Sequence, residues 1–282
     1  MPIKIVSDST CDLPVDVIRE LDIMVLPMYI NIGDKGYRDG VDISRTEFYT
    51  QLPDYEKHPT TATPSIDSFK QIWTKLADDG ATEILSIHIS ESLSATVNVA
   101  RKAAEEFTRI PVTVRDSRQL SMGTGFQVEI AAQMAMEGKA IDEIQDVLDD
   151  IMPRTFVTAG LDTLEFLKRS GRMNVFLANI GSLLQLKPIL TMVRGNPGSE
   201  KVRTTKKAFQ KLVHMLKNNL PIERFALVHT NAAEKAEEFK QQIMDILPKG
   251  KIFSMDITPV IGAHIGPGAV GFAIISKEEI TL

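Results

Sequence analysis

Two hydroxyl-rich stretches and one glycine-framed histidine are the residues with chemistry to offer. The first stretch, Ser90-Glu91-Ser92-Leu93-Ser94-Ala95-Thr96, comes after an apolar run ending at Ile89 and opens the next helix. A helix N-terminus has unpaired backbone N–H groups and a partial positive charge, so Ser94 with neighbouring amides can hold an anionic head group. The same residues also suit a plain cap, with Ser92 or Ser94 closing the helix. Thr61-Ala62-Thr63-Pro64-Ser65 has the same two readings: Thr63 or Ser65 caps the helix containing Phe69 and Trp73, and Thr61 is left as a spare hydroxyl. In Gly262-Ala263-His264-Ile265-Gly266-Pro267-Gly268, three glycines and a proline within seven residues predict a tight, irregular backbone around His264. A histidine there can donate to a carboxylate or phosphate in either charge state, or can simply pack in the turn.

Other chemistries are poorly served. The five histidines (58, 88, 214, 229 and 264) have no His-x-x-x-His spacing. The single cysteine, Cys11, makes neither an internal disulfide nor a thiolate zinc site, so no metal and no cofactor are expected. There is no phosphate loop of the Gly-x-x-x-x-Gly-Lys type and no Gly-x-Ser-x-Gly elbow, and Met122-Gly123-Thr124-Gly125 is too short for a dinucleotide fingerprint. Asp8 and Asp116, each at a strand end beside serines, fix turns or bind a polar ligand. The segment Leu164 to Arg172 ends a short helix with Lys168, Arg169 and Arg172, cations that complement a helix C-terminus. Lys201, Arg203, Lys206, Lys207 and Lys211 read as a solvated face or as a phosphate-recognising surface.

The elements that must position these residues alternate strand and helix. Ile3–Val6, Ile84–Ile89 and Val112–Arg115 read as buried strands, each leading into a helix, which predicts a parallel sheet covered on both faces. Asp12 is the expected N-cap of the first helix, with Pro14 in its first turn. Met28–Ile32 and Tyr37–Val41 flank Gly33-Asp34-Lys35-Gly36 as a hairpin within an insert near 28–60, and Ser44 to Glu47 has capping-box spacing. The run His58 to Ser65 is expected to be a loop. A boundary near Pro153 divides residues 1–153 from 154–282. The second part is expected to hold strands near 155–159, 187–193, 225–229, 252–257 and 268–275, with helices near 163–168, 206–218 and 233–247. A hairpin turn at Gly195-Asn196-Pro197-Gly198 predicts a mixed sheet there.

The chain has 282 residues, 43% hydrophobic and 24% charged, an ordinary globular composition that excludes long disorder. Its net charge of −5 argues against a nucleic-acid backbone or an anionic membrane surface as the main partner. Without a charged-then-apolar leader or an apolar run of about 18 residues, it is expected to be a cytoplasmic protein with no stable membrane insertion.

Taken in order, several motifs resemble the DegV family across essentially the whole chain. They are Asp8-Ser9-Thr10-Cys11-Asp12-Leu13-Pro14, the Thr61–Ser65 loop, Ser92-Leu93-Ser94-Ala95-Thr96, Asp116-Ser117, Leu164 to Arg172, Lys187-Pro188-Ile189-Leu190, Lys201-Val202-Arg203-Thr204 and His264 to Ala269. The resemblance implies a two-domain fold, an N-terminal three-layer α/β/α unit with a parallel sheet and a C-terminal two-layer α/β unit with a mixed sheet. It also implies a bacterial, non-catalytic carrier that holds a long-chain fatty acid such as palmitate, stearate or oleate between the domains. Such carriers present the carboxylate to a separate fatty acid kinase, which makes the acyl phosphate used in phospholipid metabolism. By resemblance, Thr61 and Ser94 bond the carboxylate through their hydroxyls, the Ala95 N–H points at it, and His264 approaches from the second domain. Arg169 supports the pocket, and Arg203 lies on the kinase-facing surface. Ala95 stands where the family usually has glycine, Ser170-Gly171 where it has two glycines, and Met173-Asn174-Val175 where it has an Ile-Ser continuation.

A tail needs an apolar lining, and Met28, Phe166, Met173, Phe176, Leu177, Ile180, Leu183, Leu184, Ile189 and Met192 are candidates that would serve equally in a plain core. The alternative to a carrier is a phosphotransferase or lipid hydrolase using His264 as its base. A transcription regulator would need a basic recognition helix, which the chain lacks.

Overall fold

The computed structural model describes residues 2–176, 187–249 and 252–281. In the first part the chain runs β1 (Ile3–Asp8), α1 (Val15–Glu20), β2 (Met24–Leu26), β3 (Tyr29–Ile32), β4 (Lys35–Arg38), α2 (Arg45–Gln51), β5 (Thr60–Ala62) and α3 (Ile66–Asp78). It continues through β6 (Glu83–His88), α4 (Thr96–Glu106), β7 (Val112–Asp116), α5 (Met122–Met136) and α6 (Ile141–Ile151). The strands β2-β1-β6-β7 form a parallel sheet in that order. Apolar residues of α3 and α4, among them Phe69, Trp73, Ala100 and Ala103, cover one face. Residues of α1, α5 and α6 cover the other, giving the expected three layers. The insert forms its own small antiparallel sheet, β4-β3-β5.

The second part runs β8 (Thr155–Gly160), α7 (Glu165–Arg169), α8 (Met173–Phe176), β9 (Lys187–Val193), β10 (Asn196–Val202) and α9 (Thr205–Asn218). After these come β11 (Ile222–His229), α10 (Ala233–Gln241), β12 (Phe253–Asp256), α11 (Pro259–Ile265) and β13 (Val270–Ser276). The sheet is mixed, in the order β10-β9-β8-β13-β11-β12. One face is covered by α9 and α10, through Phe209, Leu212 and Phe239. The other face rests on α5. That helix is enclosed over most of its length: Met122 to Ala132 are all buried, the polar Thr124, Gln127 and Glu129 among them. A helix without a solvated face is stable only when enclosed with its polar groups paired: α5 lies between the two sheets, Gln127 donates to the Ser117 carbonyl and Glu129 accepts from Arg224. The two layered units therefore share one core.

Three local expectations give way to tertiary contacts. Asp12 does not cap α1; Pro14 stands at that position without a side-chain cap. Asp12 instead adopts a left-handed backbone (φ 53°), which aspartate tolerates, and this turns its carboxylate inward. Within the expected loop, Thr60–Ala62 is a strand, with Thr61 opposite Ile30 on β3. Pro59 and Pro64 bracket that strand, and the open edge of the hairpin supplies the pairing that local sequence does not reveal. Finally, His264 sits in a helix, α11, not in irregular backbone; only Gly266 (φ 74°) and Gly268 (φ 87°) leave the right-handed region. Pro259 is tolerated in the first turn of α11, and Gly262 is needed because a Cβ there would come within 2.1 Å of the Tyr49 hydroxyl.

Candidate functional site

Three elements from distant parts of the chain meet at the carboxyl end of the parallel sheet. The edge strand β5 brings Thr61, the start of α4 brings Ser94 and Ala95, and the last turn of α11 brings His264. Thr61 Oγ1 lies 3.1 Å from His264 Nε2. Ser94 Oγ accepts the Thr96 N–H at 3.3 Å and lies 2.8 Å from Thr96 Oγ1. Thr96 Oγ1 is also 3.5 Å from the Met28 sulfur, a weak acceptor. With the Thr96 hydrogen directed at the Met28 sulfur, the Ser94 hydrogen points to Thr96 Oγ1, and Ser94 can turn it toward a stronger acceptor in the cavity. Ser94 thus performs part of the capping role that its position suggested, and carries a rotatable donor. Ala95 is the N-cap residue itself and offers no side-chain cap, so first-turn amides of α4 remain open to a ligand. The cap of α3 is Ser65, which accepts the Ser68 N–H at 3.1 Å, leaving Thr63 to line the cavity.

The cavity between these elements has a volume of about 250 Å³. Thr61, Ser94, Ala95, Arg172 and His264 provide its polar wall, and Met28, Ile89, Leu93, Val260, Ile261 and Ile265 its apolar one. Ala62 and Ala95 are exposed, while Met28, Ile89, Ile261 and Ile265 are buried, so the polar wall lies at the open end. A smaller void of about 40 Å³ adjoins it, sharing Leu120, Phe176, Ile261 and Ile265. This void runs under the mixed sheet past Val157, Leu161, Leu190 and Met192. Of the tail candidates, Met28 and Phe176 line the larger cavity and Phe176 and Met192 the smaller. Phe166 and Ile189 belong to other clusters, Phe166 beneath Gly266 and Ile189 under α9, and Met173 packs against the shared core. Leu177, Ile180, Leu183 and Leu184 lie outside the described residues.

Burial, then the positive charges of Arg172 and His58, push the His264 imidazole down to about 4, so it is neutral near pH 7. Its Nδ1 is buried without a partner. An unpaired buried lone pair is tolerated better than an unpaired N–H, which places the proton on Nε2. His264 then donates to Thr61, and the Thr61 hydroxyl is free to donate onward. His58, whose pKa burial lowers, donates from Nε2 to the Ala263 carbonyl at 2.7 Å, so β5 and α11 are stitched twice.

Arg169 does not line the cavity. Its guanidinium donates to the Tyr55 carbonyl at 3.2 Å and faces Glu165 at 3.6 Å, bracing the chain that leads to His58. Arg172, three residues on, lines the cavity instead. The family resemblance singles out Arg169 as the pocket's support, whereas Arg172 of the same motif is the arginine that lines the cavity. Arg203 is exposed between β10 and α9, away from the cavity. Among the described residues no three His, Cys, Asp or Glu side chains form a metal cluster, and no helix is long and apolar enough to cross a membrane. At Ala95 the backbone has φ −74° and ψ 0°, open to any L-residue, so the family's usual glycine confers no conformational advantage there. Ala95→Gly is expected to change ligand affinity by less than about twofold, measured by equilibrium titration.

The model of the DegV family, described as "Uncharacterised protein, DegV family", matches residues 2–277. A DegV domain-containing protein of Listeria innocua is 34% identical over 276 residues, covering 95% of this chain and 96% of the relative. A DegV family protein of Thermus thermophilus, described for its fatty acid binding, superposes with a TM-score of 0.89 at 33% identity, covering 98% of this chain and 100% of that one. DegV of Bacillus subtilis, described as a fatty acid binding protein, gives a TM-score of 0.89 at 28% identity, again over 98% and 100% of the two chains. With this agreement along its whole length, the chain belongs to the DegV family.

Proposed function

We propose that this chain is a non-catalytic carrier that binds one long-chain fatty acid in the cavity and presents its carboxylate to a separate kinase. One observation carries the reading: a deep apolar cavity whose open end is ringed by hydrogen-bond donors. The carboxylate would accept from Thr61 and Ser94 hydroxyls and the Ala95 N–H, with Arg172 supplying charge and His264 holding Thr61 in place. Arg169 braces this arrangement. Burial of about 14 methylenes contributes on the order of 11 kcal/mol gross, at about 0.8 kcal/mol each. After ordering costs, this leaves micromolar or tighter affinity within reach without covalent attachment. The donors therefore decide orientation more than affinity. Because they sit at the mouth, the carboxylate would remain within reach of another protein, and exposed Arg203 would contribute to the surface that protein meets.

Solvent extraction or native mass spectrometry after bacterial expression tests the carrier reading. A co-purifying acyl chain, or affinity for added palmitate or oleate, supports it; neither being found overturns it. Ser94→Ala, which removes a hydrogen bond to the carboxylate, and His264→Ala, which releases the Thr61 hydroxyl, are each expected to weaken palmitate binding about tenfold, with unchanged melting temperature. Unchanged affinity in both would remove the head-group site.

The Thr61–His264 pair also has the spacing of a nucleophile and its base, and this favours a second reading as a phosphotransferase or lipid hydrolase. Against it, the second nitrogen of His264 lacks the acidic partner that orients a catalytic imidazole. Incubation with ATP and palmitate separates the two. Acyl phosphate formed without an added kinase favours the enzyme; acyl phosphate only with a bacterial fatty acid kinase, and less of it with Arg203→Ala, favours the carrier.

A further inference from the structure

A buried charge cluster outside the cavity grips the helix that carries His264. Asp12 accepts from the Ser121 hydroxyl at 2.6 Å and from the Thr258 N–H at 2.8 Å, and Arg45 stands 3.2 Å away. Asp39, also buried, accepts from the Thr258 hydroxyl, while Arg45 donates to the Asp256 carbonyl. The Tyr49 hydroxyl donates to the Ile257 carbonyl at 2.9 Å. Most of these contacts fall on residues 256–258, directly before α11. They come from the loop after β1, from the insert and from the start of α5. Among the described residues the other end of α11 makes neutral hydrogen bonds: His58 and Thr230 donate to the Ala263 and Gly266 carbonyls, and His264 donates to Thr61.

The cluster sets two carboxylates against one guanidinium. An uncompensated buried charge is costly, so such a cluster takes up a proton more readily than carboxylates in water do. We propose that Asp12, Asp39 and Arg45 form a clasp on the start of α11, holding the cavity closed when the clasp carries a proton and loosening when that proton leaves. Burial pushes Asp12 up to about 6 despite Arg45, and burial likewise raises Asp39. Opening α11 hydrates Asp12 and returns it toward the ordinary carboxylate value. The closed form therefore holds the proton more tightly, and closure weakens as pH rises between those two values.

The other groups facing the clasp do not titrate this way. Asp8 is held low by His88 and its hydrogen bonds, the Cys11 thiol is pushed up to about 12, and the Tyr49 phenol is raised by burial. His58 and His264, at the far end of α11, are both lowered by burial, so they favour closure as pH rises, the opposite sense, over a range that overlaps that of Asp12; both are therefore removed in the test. His229, 3.4 Å from Asp256, is the remaining group that must be tested.

Hydrogen exchange of the α11 amides in the delipidated full chain carrying His58→Gln and His264→Gln, corrected for intrinsic rates, reads the clasp directly. Protection is expected to fall about tenfold from pH 5 to pH 7, with palmitate release accelerating in parallel. Asp12→Asn should stay protected and flat within about twofold, His229→Gln should keep the native profile, and Arg45→Gln should move the midpoint upward. A native profile in Asp12→Asn, a flat one in His229→Gln, or an unmoved midpoint in Arg45→Gln would each overturn the clasp. Should Asp12→Asn not fold, Arg45→Gln decides. The effect on release rests on the fatty-acid reading; the exchange profile does not, so a chain that binds no palmitate yet shows the profile leaves the clasp standing.

Discussion

Arg172→Gln will weaken palmitate binding about 30-fold while leaving the melting temperature within about a degree of the native value. The other proposed head-group donors are neutral, two hydroxyls and one backbone N–H, and the His264 imidazole, pushed down to about 4, is turned to Thr61. Arg172 is the cation that lines the cavity, close enough to His264 to help depress it. A carboxylate docked there gains a charge-assisted bond, worth about 1.5–3 kcal/mol in general. Because Arg172 is half-buried, solvent screening argues for about 2 kcal/mol, or about 30-fold in affinity. Hexadecanol, with the same tail and no charge, should bind native and variant chains alike. A palmitate affinity unchanged in the variant would mean that the carboxylate does not sit beside Arg172. Arg169→Gln is the contrast, since its guanidinium reaches the Tyr55 carbonyl and not the cavity.

The largest effect on stability is expected from Gly271→Ala. Gly271 is the second residue of β13, a central strand, opposite Ala159 of β8 on one side and Val228 of β11 on the other. Its backbone is not left-handed, so conformational freedom is not the reason for glycine. A Cβ there would come within 1.9 Å of the Thr158 carbonyl oxygen and 2.5 Å of the Ala159 Cα. Both are main-chain atoms of a paired strand, which cannot turn aside as a side chain can. Overpacking of this kind costs about 3 kcal/mol, and more when a central strand must shift. The apparent melting temperature should fall by about 6 °C or more, at about 2 °C per kcal/mol for a chain of this size. A fall of less than about 2 °C would show that β8 and β13 can separate cheaply. The shared core would then be softer than the enclosed α5 suggests.

Much of the fold is legible in the sequence because its signals are local. The apolar run at Ile84–Ile89, the capping spacing at Ser44 and Glu47, and the turn at Gly33-Asp34 each depend on residues within one or two turns of each other. Strand β9 has the same limits in sequence and structure, Lys187–Val193. Local signals fail where a distant partner decides. Thr60–Ala62 is a strand only because β3 offers an edge, and Asp12 faces inward only because Ser121, Thr258 and Arg45 await it. The hydroxyl pair Thr61 and Ser94 and the histidine His264 stand out as residue types in the sequence.

By itself, then, the sequence determined the alternation of strands and helices, the parallel and mixed sheets, and the short set of residues able to meet a carboxylate. Tertiary structure alone decided that Thr61 and His264, 203 positions apart, stand 3.1 Å from each other. It also decided that Arg172 and not Arg169 turns into the cavity. Periodicity and capping report which face of an element is buried, over a reach of a few residues. The distance between two such faces is set by how whole sheets pack around α5, and that is a property of the entire core.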